Sequence, residues 1–60
     1  MKRYVKWFAS AKMAWYTAGR LSRKYPGKIM VKRGNSAGYK TGYVVVSAVK
    51  IRGWKLKNIR

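Results

Sequence analysis

Sixty residues with sixteen Lys and Arg and no Asp, Glu, His or Cys exclude most protein chemistry at once. There is no disulfide, no ordinary ligand for zinc, calcium or iron, and no usual acid or base for catalysis near neutral pH. No metal, cofactor or enzymatic activity is therefore expected. No side-chain ion pair can form either, so the chain repels itself until an anion absorbs the charge. Yet 48% of the residues are hydrophobic and 15% aromatic, which is not the composition of a disordered basic tail. A chain this short buries only about 60% of the surface its unfolded form exposes. The expectation is one small basic domain, residues 1–60, whose folding is linked to binding.

At the start, Met1-Lys2-Arg3 and Ala9-Ser10-Ala11 imitate the ends of a secretory signal. Lys6 interrupts the apolar run between them, so no signal peptide is expected. The longest apolar stretch, Tyr43 to Val49, falls short of the roughly 20 residues that span a bilayer. These readings favour a cytoplasmic location or one within a virion.

From Lys2 to Lys24 the apolar residues recur at helical spacing. Tyr4, Phe8, Ala11, Trp15, Ala18 and Ser22 share one face, with Trp7, Ala14, Leu21 and Tyr25 beside it. The spacing predicts an amphipathic helix over about 2–24, roughly 33 Å long at 1.5 Å per residue. Its basic face carries Lys2, Lys6, Arg20 and Lys24, with Arg23 at the margin, and its core takes Tyr4, Phe8 and Trp15. Ser10, Ala14 and Ala18 mark a shallow strip where the helix can approach its sheet or a neighbouring subunit. Met1 to Arg3 offer no N-cap side chain, whereas Pro26-Gly27 is strong punctuation at the other end, and Arg23 and Lys24 suit the last turn.

After Pro26-Gly27 the β-branched residues take over, in Ile29-Met30-Val31 and in Tyr43 to Ile51. The Gly-rich connector 34–42 makes a hairpin of 28–33 with part of 39–52 the simplest pairing. Residues 54–60 alternate apolar with basic and read as a short third strand. The fold class is α+β: one N-terminal amphipathic helix on a small antiparallel hairpin or three-stranded sheet. The alternative is an all-α helical hairpin with a second helix over 39–59.

The remaining signal is cations interleaved with aromatics, the pattern of phosphate contacts combined with rings that stack on bases. The candidate nucleic-acid contacts are Lys2, Lys6, Arg20, Arg23, Lys24, Lys32, Arg33, Lys40, Lys50 and Arg52. The candidate stacking residues are Tyr16, Tyr39 and Trp54. The segment from Gly34 to Gly42 fails as a Walker loop because Tyr39 separates Gly38 from Lys40-Thr41. In composition the chain resembles small packaged basic proteins of bacteriophages. Through its Trp and Lys content and lack of cysteine it is also similar to leaderless bacteriocins, which are helical where this C-terminal half reads as β. Sequence-independent binding of DNA or RNA is the leading expectation, including packaging in a virion or ribonucleoprotein. Small size adds a homo-oligomer or larger assembly as a partner. The alternative is a secreted, membrane-active cationic antimicrobial peptide whose partner is an anionic membrane surface.

Overall fold

Three consecutive valines, Val44-Val45-Val46, suit a pleated strand that is covered on both faces. In the computed structural model, which describes residues 1–59, they form the middle of such a strand. The elements in chain order are β1 (Lys2–Phe8), α1 (Ala11–Lys24), β2 (Ile29–Arg33), a 3-10 turn (Gly34–Ala37), β3 (Tyr43–Ser47) and β4 (Lys55–Asn58). All pairings are antiparallel and the strand order is β2-β3-β1-β4. The α+β class is the observed one, with four strands rather than two or three. The all-α alternative is overturned, since 43–47 and 55–58 are both strands. Of the alternating C-terminal stretch, Arg60 lies outside the described residues.

The main correction concerns the N-terminus. The helix begins at Ala11, and Lys2–Phe8 is a strand inserted between β3 and β4. Ser10 decides the boundary: its backbone is extended (φ −119°, ψ 147°) and its side chain accepts a hydrogen bond from the Met13 amide. The cap missing from Met1 to Arg3 is thus supplied nine positions later, by a residue type that favours this place over a helix interior. The helix spans fourteen residues, or roughly 21 Å, rather than 33 Å. At its other end the structure agrees with the sequence. Tyr25 is the C-cap, its amide bonded to the Leu21 carbonyl, and Gly27 turns the chain at φ 74°.

The register sorts the sheet into two faces. Val45 pairs with Lys6 and Val31 on the helix side, where it meets the fully buried Ala14 and the nearly buried Ala18. Phe8, Ile29, Val31, Tyr43 and Trp54 close around that seam. The strip of small residues therefore serves the approach of helix to sheet. On the other face Val5, Val44 and Val46 form a second cluster under Ala37, Tyr39 and Ile59. Each fully buried valine contributes about 1.5–3 kcal/mol.

The lid of the second face is the loop 34–42. The Gly34 amide donates to the Gly42 carbonyl at 2.8 Å and the Tyr39 amide to the Gly34 carbonyl at 3.0 Å. Trp7 Nε1 donates to the Thr41 carbonyl at 2.7 Å. β3 ends at Ser47, which is fully buried. Its Oγ donates to the Val49 carbonyl (2.8 Å) and accepts from the Val49 amide (3.1 Å), turning the chain out of the sheet before Ile51. Edge strands β2 and β4 carry Lys32, Arg33, Lys55 and Lys57, charges that discourage edge-to-edge pairing.

Gly42 closes the lid under two constraints. Its φ is +81°, and a Cβ there would meet the Trp7 indole. Gly42→Ala is expected to destabilise the fold by about 1–3 kcal/mol, read as a lower urea midpoint with an unchanged slope. A midpoint equal to that of the parent would show that the lid does not hold Trp7 as described.

Candidate nucleic-acid interface

Because the helix seam is built from alanines, its larger side chains point sideways or outward. Trp15 is 63% exposed, Tyr16 62% and Met13 53%. Trp15 is therefore not core, a second correction that follows from the first. Once Ser10 caps the helix, the buried arc runs through Ala14 and Ala18, and the row Trp15, Gly19, Arg23 faces solvent. Tyr4 and Phe8, also assigned to the core, are half-buried.

A groove of about 520 Å³ opens between this helix, β1 and the segment that precedes β4. Phe8, Met13, Leu21, Ile51 and Trp54 supply apolar lining, while Lys6, Arg20 and Lys24 supply the cations. Five residues chosen from sequence, Lys6, Tyr16, Arg20, Lys24 and Trp54, therefore line one recess. They reach it from three separate elements rather than along one helix face. The Arg20 guanidinium lies 5.9 Å from the Tyr16 ring centroid, and Lys6 Nζ lies 5.9 Å from that of Phe8. Lys50 and Arg52 are exposed in the loop after β3, on either side of the groove residue Ile51. Trp54 has a double role, since it is half-buried against the Val45 cluster and also forms groove wall.

The other candidates are placed elsewhere. Arg33 and Lys40 share a smaller hollow of about 200 Å³ with Gly34, Asn35, Thr41, Gly42 and Tyr43. Lys2 sits at the start of β1 opposite Asn58, and Lys32 on β2 pairs with Val44. Arg23 lies on the outer surface of the helix with Trp15 and Gly19. Tyr39 belongs to the opposite face, where Lys57 Nζ sits 4.5 Å from its ring centroid and the Trp7 ring is 6.2 Å away at a tilt of 37°. Lys57 Nζ also donates to the Ala37 carbonyl at 3.4 Å, so Tyr39 is tied into the lid.

Sequence reasoning passed over Trp15 and Met13, and on the opposite sheet face the cations Arg3, Lys55 and Lys57. The signal for Trp15 was present in Ser10. Starting the helix there makes Ala11, Ala14, Ala18 and Leu21 the inward arc at i, i+3, i+7 and i+10.

Comparison with protein-family models, curated proteins and solved structures finds no match.

An apolar recess rimmed by cations, with no acidic residue in the chain to neutralise them, is destabilised by self-repulsion and relieved by any anion that settles there. Pyrophosphate or polyphosphate is therefore expected to raise the thermal midpoint relative to chloride at matched ionic strength. At a hundred times its dissociation constant the gain is about 2.7 kcal/mol, or roughly 10–20 °C for a domain of this size. The Lys6→Gln variant should gain less. A midpoint indifferent to the anion would refute the arrangement.

Proposed function

We propose that this chain is a non-enzymatic nucleic-acid-binding protein that grips its partner through the phosphate backbone with little base selectivity. Its role would be condensing or packaging nucleic acid in a virion or ribonucleoprotein. The observation that carries the reading is the uniform sign of the charge: sixteen Lys and Arg and no Asp or Glu, with cations on the groove, the outer helix surface, the 34–42 hollow and both sheet edges among the described residues. A phosphate path that crosses the described surface meets no repelling Asp or Glu side chain. The spread over several faces suits a protein that neutralises more than one segment of nucleic acid at a time.

The groove adds to this. The Phe8, Tyr16 and Trp54 rings in its lining, beside a cationic rim, match a ligand in which flat bases alternate with anionic linkages. A membrane-active peptide draws on the same composition, but it needs a helix whose apolar stripe is free to enter lipid. Here Ala14 and Ala18 on that stripe are buried against Val45. That observation supports the nucleic-acid reading over the membrane one.

Counterion release gives the test. If about eight cations meet phosphates of a duplex, log affinity falls against log salt with a slope near −7. Fluorescence anisotropy across a salt series measures it. Changing Lys6, Arg20 and Lys24 together to Gln should flatten the slope by about three, roughly one for each phosphate contact removed. A parent slope shallower than about −2 would overturn the proposal.

A further inference from the structure

Trp15 and Gly19 pose a question that phosphate binding does not answer. Trp15 is the largest side chain on the helix and is 63% exposed, although the core cluster beneath contains only small and half-buried residues. Gly19 lies one turn further on, in the helix interior, where glycine is among the least favourable residues. Nothing in the fold requires it. Its φ is not among the positive ones, and a Cβ at that position would meet no atom within 4 Å. What the missing side chain creates is a trough of about 440 Å³, lined by Trp15, Tyr16, Gly19, Arg20 and Arg23. Trp15, Gly19 and Arg23 follow at i, i+4 and i+8 and so stand in one row along the helix.

We propose that this trough is a nucleobase site. An unpaired base stacks on the Trp15 indole and occupies the space left by Gly19, while Arg20 and Arg23 take the phosphates on either side of it. The chain consequently prefers single-stranded nucleic acid to duplex. This rests on the nucleic-acid reading above and names its substrate class. The chemistry matches on two counts. A large exposed ring gives a base a face to stack on whatever its identity, and two guanidiniums with no acid nearby complement the linkages beside it. The preference for a single strand follows from geometry. A ring standing on the convex side of a helix reaches the face of a base only when that base has left its own stack. Tyr16 and Arg20 line both the trough and the neighbouring groove. They form a ridge between two recesses, so the next base along the strand has the groove, with Trp54 in its wall, on the far side.

The test measures binding of an oligothymidylate, the matching oligouridylate and a duplex at one salt concentration, for the parent and three variants. Trp15→Ala is expected to weaken single-strand binding roughly 5- to 150-fold, the usual range for loss of one stacked base. Its duplex affinity, carried by phosphate contacts, should change by less than about two-fold. Trp15→Phe should retain most of the single-strand affinity. Gly19→Leu fills the trough with a better helix former. It should lose single-strand affinity while its thermal midpoint rises, so that the loss cannot be assigned to unfolding. If Trp15→Ala and Gly19→Leu bind the oligonucleotides like the parent, or lose single strand and duplex equally, the base site is overturned, and a steep salt slope leaves the broader reading standing. A parent that binds no nucleic acid with a steep salt slope, and whose Trp emission shifts to the blue on anionic vesicles alone, overturns both.

Discussion

The strand Tyr43–Ser47 is the constraint on which the rest of the structure depends. Val44, Val45, Val46 and Ser47 are all 3% exposed or less, and a strand buried on both sides needs two lids. In sixty residues there is one helix for the first and only a nine-residue loop for the second. The helix lid seats tightly because its contact residues are alanines, which let its backbone come close to Val45. The loop lid is held by backbone hydrogen bonds at Gly34 and Gly42, by the Trp7 indole and by Tyr39. Both solutions put small residues at the centre of the contact, Ala14 and Ala18 in one and Ala37 in the other, and use larger, half-buried side chains around them.

Charge shapes the second level of organisation. A chain with no Asp or Glu has no carboxylate side chain to set against its cations, and in this fold aromatic rings take part of that place. Lys57 lies over Tyr39 at 4.5 Å, Lys24 over Tyr25 at 5.5 Å, Lys6 over Phe8 at 5.9 Å and Arg20 over Tyr16 at 5.9 Å. At exposed sites such contacts contribute about 0.5–1 kcal/mol each. They orient the cations without neutralising them, since a ring carries no net charge. Aromatics interleaved with Lys and Arg therefore have a structural meaning before any ligand is considered, and Tyr39 with Lys57 is the plainest case.

The sequence was most legible where local chemistry and tertiary role agreed. β-branched residues lie in Ile29–Arg33 and Tyr43–Ser47, which pair as a hairpin register, and Pro26-Gly27 follows a helix that ends at Lys24. β1 was illegible for a physical reason. Its two sides, Arg3-Val5-Trp7 and Lys2-Tyr4-Lys6-Phe8, each mix basic with apolar residues, so no polar and apolar alternation marks a period of two. With that signal absent, Tyr4, Phe8, Ala11 and Trp15 happen to satisfy helical spacing across the Ala9-Ser10 boundary. One unrecognised cap then carried two errors, a helix too long and a Trp15 assigned inward. Tyr16, Arg20, Lys24 and Lys6 still line one recess because the true helix directs the first three to the same side and β1 brings Lys6 to them through the sheet. Tyr39 and Trp54 could not be ranked as stacking residues from composition, because what separates them is which sheet face each one covers.

The two faces of the sheet have been finished differently, and the difference bears on where a partner docks under the proposed reading. On the loop side the rings are engaged: Trp7 by the Thr41 carbonyl, Tyr39 by Lys57. On the helix side Trp15 has no ring or hydrogen-bond partner in the described structure, Tyr16 is shared by two recesses, and Gly19 weakens the helix without serving its packing. A fully buried large apolar side chain is worth about 1.5–3 kcal/mol, a large share of the 5–15 kcal/mol that small domains typically possess. Leaving Trp15 outside a core as thin as this one, beside an avoidable helical glycine and among uncompensated cations, lowers the stability of the free chain three times over at one place on its surface. Under the proposed reading, a polyanion with stacking bases covers the Trp15 ring and neutralises the cations beside it, while the cost of Gly19 in the helix stays; the reading thus ties folding strength to partner binding at the outer face of the helix rather than through the charge total alone.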